Sequence, residues 1–265
     1  MKYKTISSML LVISIISMIG FASIGESNVV DVRIVSDKGI EFPRYRTYPG
    51  VRRPGAYFYM EALKGEKYSI EVRNRSDRRI GVVIAVDGRN IISGGKSDLK
   101  NNERMYIIEP YATNIFEGWR TGMNRTNRFY FTEQSNSYAE KVFSDASAMG
   151  TIALAVYREK LPVIAPLTPS YNSESKSQAP RGKQGSGQFE GESRDEQSGT
   201  GFGETTYSPS REVLFEPENI AAGRVVLKYE WRTELCKKGI IACGPKNRFW
   251  PDGWGFAPIP GDFRE

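Results

Sequence analysis

The chain has 265 residues, a net charge of +6 and 39% hydrophobic residues. It carries two cysteines and no histidine, so the usual serine and cysteine triads lack their base and a tetrahedral metal site lacks its common ligands. The sequence also holds no GxGxxG and no phosphate-binding P-loop.

Residues 1–25 read as a signal peptide. Two lysines lie within the first five residues, an apolar run covers residues 6–24, and small residues follow near Ala22 and Gly25. The competing reading is an uncleaved signal anchor, since the run approaches the ~20 residues that span a bilayer. Either reading implies export, to the periplasm or to the extracellular surface. No cysteine follows the run, which excludes a lipoprotein anchor.

Residues 28–36 (NVVDVRIVS) alternate apolar and polar side chains, as a first strand does. Pro43, Pro49, Gly50, Pro54 and Gly55 then make the path irregular. In residues 67–73, Tyr68, Ile70 and Val72 face one way and charged residues the other, the period of a half-buried strand. Residues 80–86 (IGVVIAV) are apolar on both faces and require cover on both sides. Asp87-Gly88 is a favoured two-residue hairpin turn, because both central positions take positive φ. The return strand stops at Ser93-Gly94-Gly95. Further strands are expected at 104–109, 111–116, 128–132 and 151–157. Gly118-Trp119-Arg120-Thr121-Gly122 reads as a loop, and Ser137-Tyr138-Ala139-Glu140 as a capping box opening one short helix.

Residues 172–201 contain six Gly, six Ser and four Gln, with only Ala179 and Phe189 apolar, a composition expected to stay disordered. Beyond them, residues 211–215 and 224–231 look extended, and Val225, Leu227, Tyr229 and Trp231 share a face. The simplest arrangement returns the latter strand to the main sheet. The predicted fold is therefore an all-β, jelly-roll-like antiparallel β-sandwich over residues 26–171. A long internal loop follows, 202–235 complete the sheet, and 236–265 form an irregular tail. Within that tail Cys236 and Cys243 favour a local disulfide.

At the central hairpin the sequence resembles a group of uncharacterised exported bacterial proteins. The resemblance rests on Arg53-Pro54-Gly55-Ala56, on residues 68–74 and on VVIAVDGRNIISG at 82–94, which carries a V-D-G-x-N-x-x-S-G pattern. It continues through Tyr111, Gly118-Trp119-Arg120, 128–132, Ser137-Tyr138-Ala139 and 150–159, and resumes at GTGFGE (199–204) and Tyr207. Such relatives often carry a histidine in the last segment, where this chain has Phe202. The resemblance implies a shared fold and export, and no activity.

Between Arg33 and Arg128 there are 19 Lys and Arg against 11 Asp and Glu, a local excess of +8. One arginine group is Arg44, Arg46, Arg52 and Arg53; another is Arg73, Arg75, Arg78 and Arg79. In an exported protein such groups fit anionic glycan or lipid headgroups rather than nucleic acid, or they decorate sheet edges against pairing. Candidate binding residues are Arg52, Arg53, Asp87, Arg89, Asn90, Trp119 and Arg120. Asp87 is equally a turn residue, and Trp119 equally a core aromatic. Carboxylate hydrolysis would need two of Asp87, Glu109, Glu117 and Glu133 to converge. The expected function is non-catalytic: binding of another envelope or surface-assembly protein, with a glycan- or lipid-binding module as the alternative. No cofactor and no metal is expected.

Overall fold

The computed structural model describes residues 29–46, 56–161 and 197–243. Within these residues fourteen strands and two α-helices follow one another: β1 (Val30–Ser36), β2 (Arg44–Arg46), β3 (Ala56–Ala62), β4 (Lys67–Asn74), β5 (Ile80–Val86), β6 (Arg89–Asn90), β7 (Tyr106–Ile108), β8 (Thr113–Phe116), β9 (Gly118–Gly122), β10 (Arg125–Glu133), α1 (Tyr138–Phe143), β11 (Thr151–Arg158), β12 (Ser198–Thr200), β13 (Thr205–Tyr207), β14 (Gly223–Trp231) and α2 (Arg232–Lys237). They form two seven-stranded sheets. The first has the order β1-β4-β10-β12, with β8 on β4 and β9 and β13 on β10; the second runs β2-β3-β14-β11-β5-β6, with β7 on β5. All pairings are antiparallel except β3 with β14, which run parallel from Val225↔Ala56 to Trp231↔Ala62. The molecule is the all-β sandwich that the strand pattern predicts.

One continuous core lies between the sheets. Ile34, Tyr68, Ile70 and Val72 come from the first sheet, and Met60, Ile84, Leu154 and Leu227 from the second. Tyr68 stacks against Phe129 and Phe131, with ring centroids 5.3 and 4.4 Å apart. The seven residues of β5 are all buried, and the reason is visible on its outer side. There Val83 packs with Ala155 and Tyr157 beneath Leu99 and Met105, so the connection after β6 folds back as the second cover. A Cβ on Gly81 would lie 2.2 Å from Met105 Sδ, so only glycine lets that cover approach.

β14 lies between β3 and β11, at the centre of its sheet. Residues 223–231 are thus built into the sandwich. Ser198 to Thr200, which composition groups with the low-complexity stretch, form buried β12 instead. Residues 172–196 lie outside the described residues, as do residues 1–28, where a signal segment is expected, Arg52 and Arg53, and the tail after Cys243.

Other local readings change. Gly118–Gly122 is a strand paired with β10 rather than a loop, and a Cβ at Gly118 would lie 2.0 Å from the Asn127 carbonyl oxygen. Residues 211–215 belong to no strand. The expected single helix is α1, whose N-cap Ser137 side chain accepts from the Glu140 N–H. A second helix, α2, carries Cys236, which is bridged to Cys243 across a Cα separation of 5.5 Å. Leu235, fully buried, fixes α2 to the end of the sheet. Among the described residues no helix is long and apolar enough to cross a membrane.

Candidate functional site

The β5–β6 turn is the hairpin that its sequence dictates, with φ of +48° at Asp87 and +75° at Gly88. Asp87 does more than turn the chain. It is 1% exposed, and its carboxylate accepts from Gly150 N (2.8 Å), Thr151 N (3.3 Å), Thr200 N (2.7 Å) and Tyr229 Oη (2.6 Å). Thr200 Oγ1 stands 2.7 Å from Tyr229 Oη and 2.8 Å from Tyr68 Oη. With Tyr229 donating to the carboxylate, the hydroxyls of Tyr68, Thr200 and Tyr229 can each donate one step towards Asp87, a charge-assisted chain across the core. Burial nevertheless outweighs these bonds and raises the Asp87 pKa to about 6. Burial likewise raises Tyr68 and Tyr229 well above the ordinary phenol, the latter further through the Asp87 charge. The four partners of the carboxylate belong to the segment before β11, to β11, to β12 and to β14. The cluster therefore ties both sheets to the segment that re-enters the fold after residue 196.

The rest of the hairpin motif is equally structural. Arg89 is 8% exposed, bonded to Asp145 at 2.6 Å, and stands 4.0 Å from the centre of the Phe143 ring. Asn90 accepts from Ile92 N and Ser93 N through Oδ1 and donates to the Arg104 carbonyl. Ser93 Oγ accepts from Gly95 N, and Gly94 sits at φ +71°. Each polar letter of V-D-G-x-N-x-x-S-G thus has a backbone to hold.

Trp119 takes the core alternative. It is 2% exposed, packs edge-on to Phe129 and donates from Nε1 to the Gly201 carbonyl at 3.0 Å. Arg120 is half-buried and committed. It bonds Tyr106 Oη (2.7 Å), the Ser208 carbonyl (2.8 Å) and Ser210 Oγ (3.0 Å). Arg78 reaches Glu218 at 3.0 Å and the Glu159 carbonyl, and Arg79 reaches Glu159 at 2.8 Å while lying over the Phe215 ring. Arg78, Arg79 and Arg120 therefore grip one segment, residues 208–218. Arg73 and Arg75 are exposed and form no ion pair among the described residues.

Of the four carboxylates considered for hydrolysis, Asp87 is enclosed, Glu109 pairs with Arg79, Glu117 with Arg128 and Glu133 with Lys64. No cluster of three metal-ligating side chains occurs among the described residues.

Sequence reasoning read residues 211–215 as extended and assigned no site to residues 208–220. The backbone bonds Ser208 N to the Asn124 carbonyl and Ser210 N to the Met123 carbonyl, then rejoins at the Glu216 carbonyl, which accepts from Lys160 N. In between it strides across the surface as a strap. A hollow of about 670 Å3, lined by Met105, Tyr106, Ile115, Met123 and Val213, lies on one side. A more open hollow of about 1060 Å3, lined by Arg78, Pro110, Leu161, Leu214 and Phe215, lies on the other. Around them Leu214 is 96% exposed, Leu161 70% and Ile115 59%. The signal for this surface was present in REVLF, three consecutive apolar residues with no sheet neighbour assigned to them.

Fold and surface together define a two-sheet β-sandwich with a satisfied polar centre and an apolar strap on its outside. No protein-family model, no curated protein and no solved structure matches the chain.

Proposed function

We propose that the protein is an exported, non-catalytic β-sandwich that acts by binding another protein of the cell envelope or of a surface assembly, and that the strap is its working surface. The observation that carries this reading is the exposure of Leu214, Leu161, Val213 and Ile115 around the strap, while Asp87, Arg89, Asn90 and Arg120 are bonded within the chain. Apolar side chains gathered on one surface and flanked by hollows are characteristic of interaction sites. Arg78, Arg79 and Arg120 hold this surface in place, so their role is support. A photo-crosslinker placed at position 214 in the native envelope is expected to give an adduct of discrete mass, whereas one at exposed Lys38 gives none. Equal labelling at both positions, or none at either, would sink the reading.

Arg73 and Arg75 support a second reading, the binding of anionic glycan or lipid headgroups, because both are exposed and form no ion pair among the described residues. It requires binding to heparin or to phosphatidylglycerol vesicles at low salt that disappears in R73E/R75E.

A further inference from the structure

Residues 208–216 run without a turn or a bend between two anchored ends. At one end Ser208 N and Ser210 N donate to the carbonyls of Asn124 and Met123, and Arg120 holds both serines. At the other, Lys160 N donates to the Glu216 carbonyl and Glu218 N to that of Arg158. The Phe215 ring lies on β5, where a Cβ at Gly81 would stand 2.7 Å from it. Between the anchors, no backbone N–H or C=O of residues 211–215 makes a hydrogen bond among the described residues. The strap is thus a lone strand rather than the edge of a sheet, with a hollow on each side of it. A single added strand would bond every second residue of such a segment. A cleft that grips an extended chain from both sides bonds all of them, which is how an endopeptidase takes its substrate. Leu214, 96% exposed, stands within this open stretch.

We propose that the strap is a pre-formed inhibitory loop for an endopeptidase with an apolar primary pocket, which takes Leu214 and meets the Leu214–Phe215 bond with its nucleophile. The proposal rests on the reading of the strap as the working surface and names the class of its partner. The anchors have two consequences. They remove much of the entropy cost of ordering the segment on binding. They also hold the leaving group. Attack by a serine hydroxyl or cysteine thiol on the Leu214 carbonyl carbon forms an acyl-enzyme and breaks the C–N bond, and the Phe215 nitrogen departs with a proton from the peptidase's general acid. Phe215, Glu216 and Glu218 stay fixed to β5 and to the end of β11, so the new amine remains beside the ester and attacks it faster than water does. The amide re-forms, the proton returns through the same group to the nucleophile, and the peptidase stays occupied.

The test is titration of the purified protein against chymotrypsin, whose primary pocket is apolar, and trypsin, whose pocket is anionic, with mass spectrometry of the strap. Wild type is expected to inhibit chymotrypsin, to keep doing so on prolonged incubation, and to retain the 214–215 bond. L214K should weaken inhibition of chymotrypsin at least about tenfold and strengthen that of trypsin by a similar factor. F215A, which frees the leaving group, should be cut at the same bond and lose inhibition with time. Circular dichroism should be unchanged in both variants. Chymotrypsin left fully active by wild type overturns the proposal, as does rapid hydrolysis of 214–215 without inhibition, or an L214K variant that does not shift inhibition towards trypsin. If chymotrypsin is not inhibited but crosslinking at position 214 still gives an adduct with a protein that is no peptidase, the inhibitory loop falls and the proposed function stands. Loss of both removes both.

Discussion

Asp87 faces donors on every side, three backbone N–H groups and one phenol, and only a carboxylate accepts from all of them. Asp87→Asn keeps the shape but turns an amide NH2 towards an N–H, so it is expected to cost about 2–4 kcal/mol at neutral pH by urea unfolding. The same residue sets a pH dependence. Its folded pKa of about 6 lies above the ordinary value of 3.8, so the folded state binds the proton more readily than the unfolded state. Its contribution to stability is complete below pH 3.8 and is lost as pH rises through about 6. Between pH 7.5 and pH 5, wild type should gain about 1–2 kcal/mol relative to D87N, whose side chain does not titrate. A gap between the two proteins that stays constant with pH would show that the carboxyl titrates normally. Trp119 makes a smaller but separable contribution. Trp119→Phe keeps an aromatic against Phe129 and orphans the buried Gly201 carbonyl, so unfolding measurements should show a loss of about 1–3 kcal/mol with the near-ultraviolet spectrum otherwise retained.

Helix α2 has six residues, too few to be stable by itself, and two ties hold it: buried Leu235 and the Cys236–Cys243 bridge. The bridge spans seven positions, so opening it returns little chain entropy to the unfolded state. The double variant C236S/C243S is expected to lose at most about 2–3 kcal/mol in urea and to keep its sheet signal, with Leu235 still docked. At this scale, the elements that were legible in the sequence are those with a local cause. Period two exposed β1, β4 and β14; the Asp-Gly turn exposed the β5–β6 hairpin; the capping box exposed α1. β2, β12 and β13 are three residues each, too short to carry a period, and they form because a long partner waits for them. Residues 211–215 show the converse, since their composition is that of a strand and no strand among the described residues pairs with them. The site divides in the same way. Asp87 was legible as a turn former from its neighbour Gly88. Its partners Gly150, Thr200 and Tyr229 lie 63, 113 and 142 residues away, and no local pattern encodes such a meeting.

The pairing of β14 with β3 and β11 makes the sandwich a closed circuit: the chain leaves it after Leu161 and must return at Gln197 for the second sheet to be complete. Leu161 follows β11 at the end of the sandwich where β1 begins, while Gln197 bonds Gln134 beyond the last residue of β10, at the other end. The connection therefore has to span the length of a strand, about 26 Å for the eight residues of β11. A connection of about 12 residues reaches roughly 40 Å when extended and is sufficient. The composition of residues 172–196 offers almost nothing to bury, so its expected cost is closure entropy alone, which grows as the logarithm of length. Replacing residues 172–196 by two residues, Gly and Ser, leaves a connection of about 12 and should therefore preserve the fold and raise stability by about 1 kcal/mol, with refolding as fast as or faster than wild type. Urea unfolding and stopped-flow refolding of the shortened chain measure both quantities. A stability loss of several kcal/mol would mean that the removed stretch packs on the sandwich. An unchanged fold would instead establish that the circuit is closed by β12 and β14, with the Asp87 cluster as the joint where the returning chain is received.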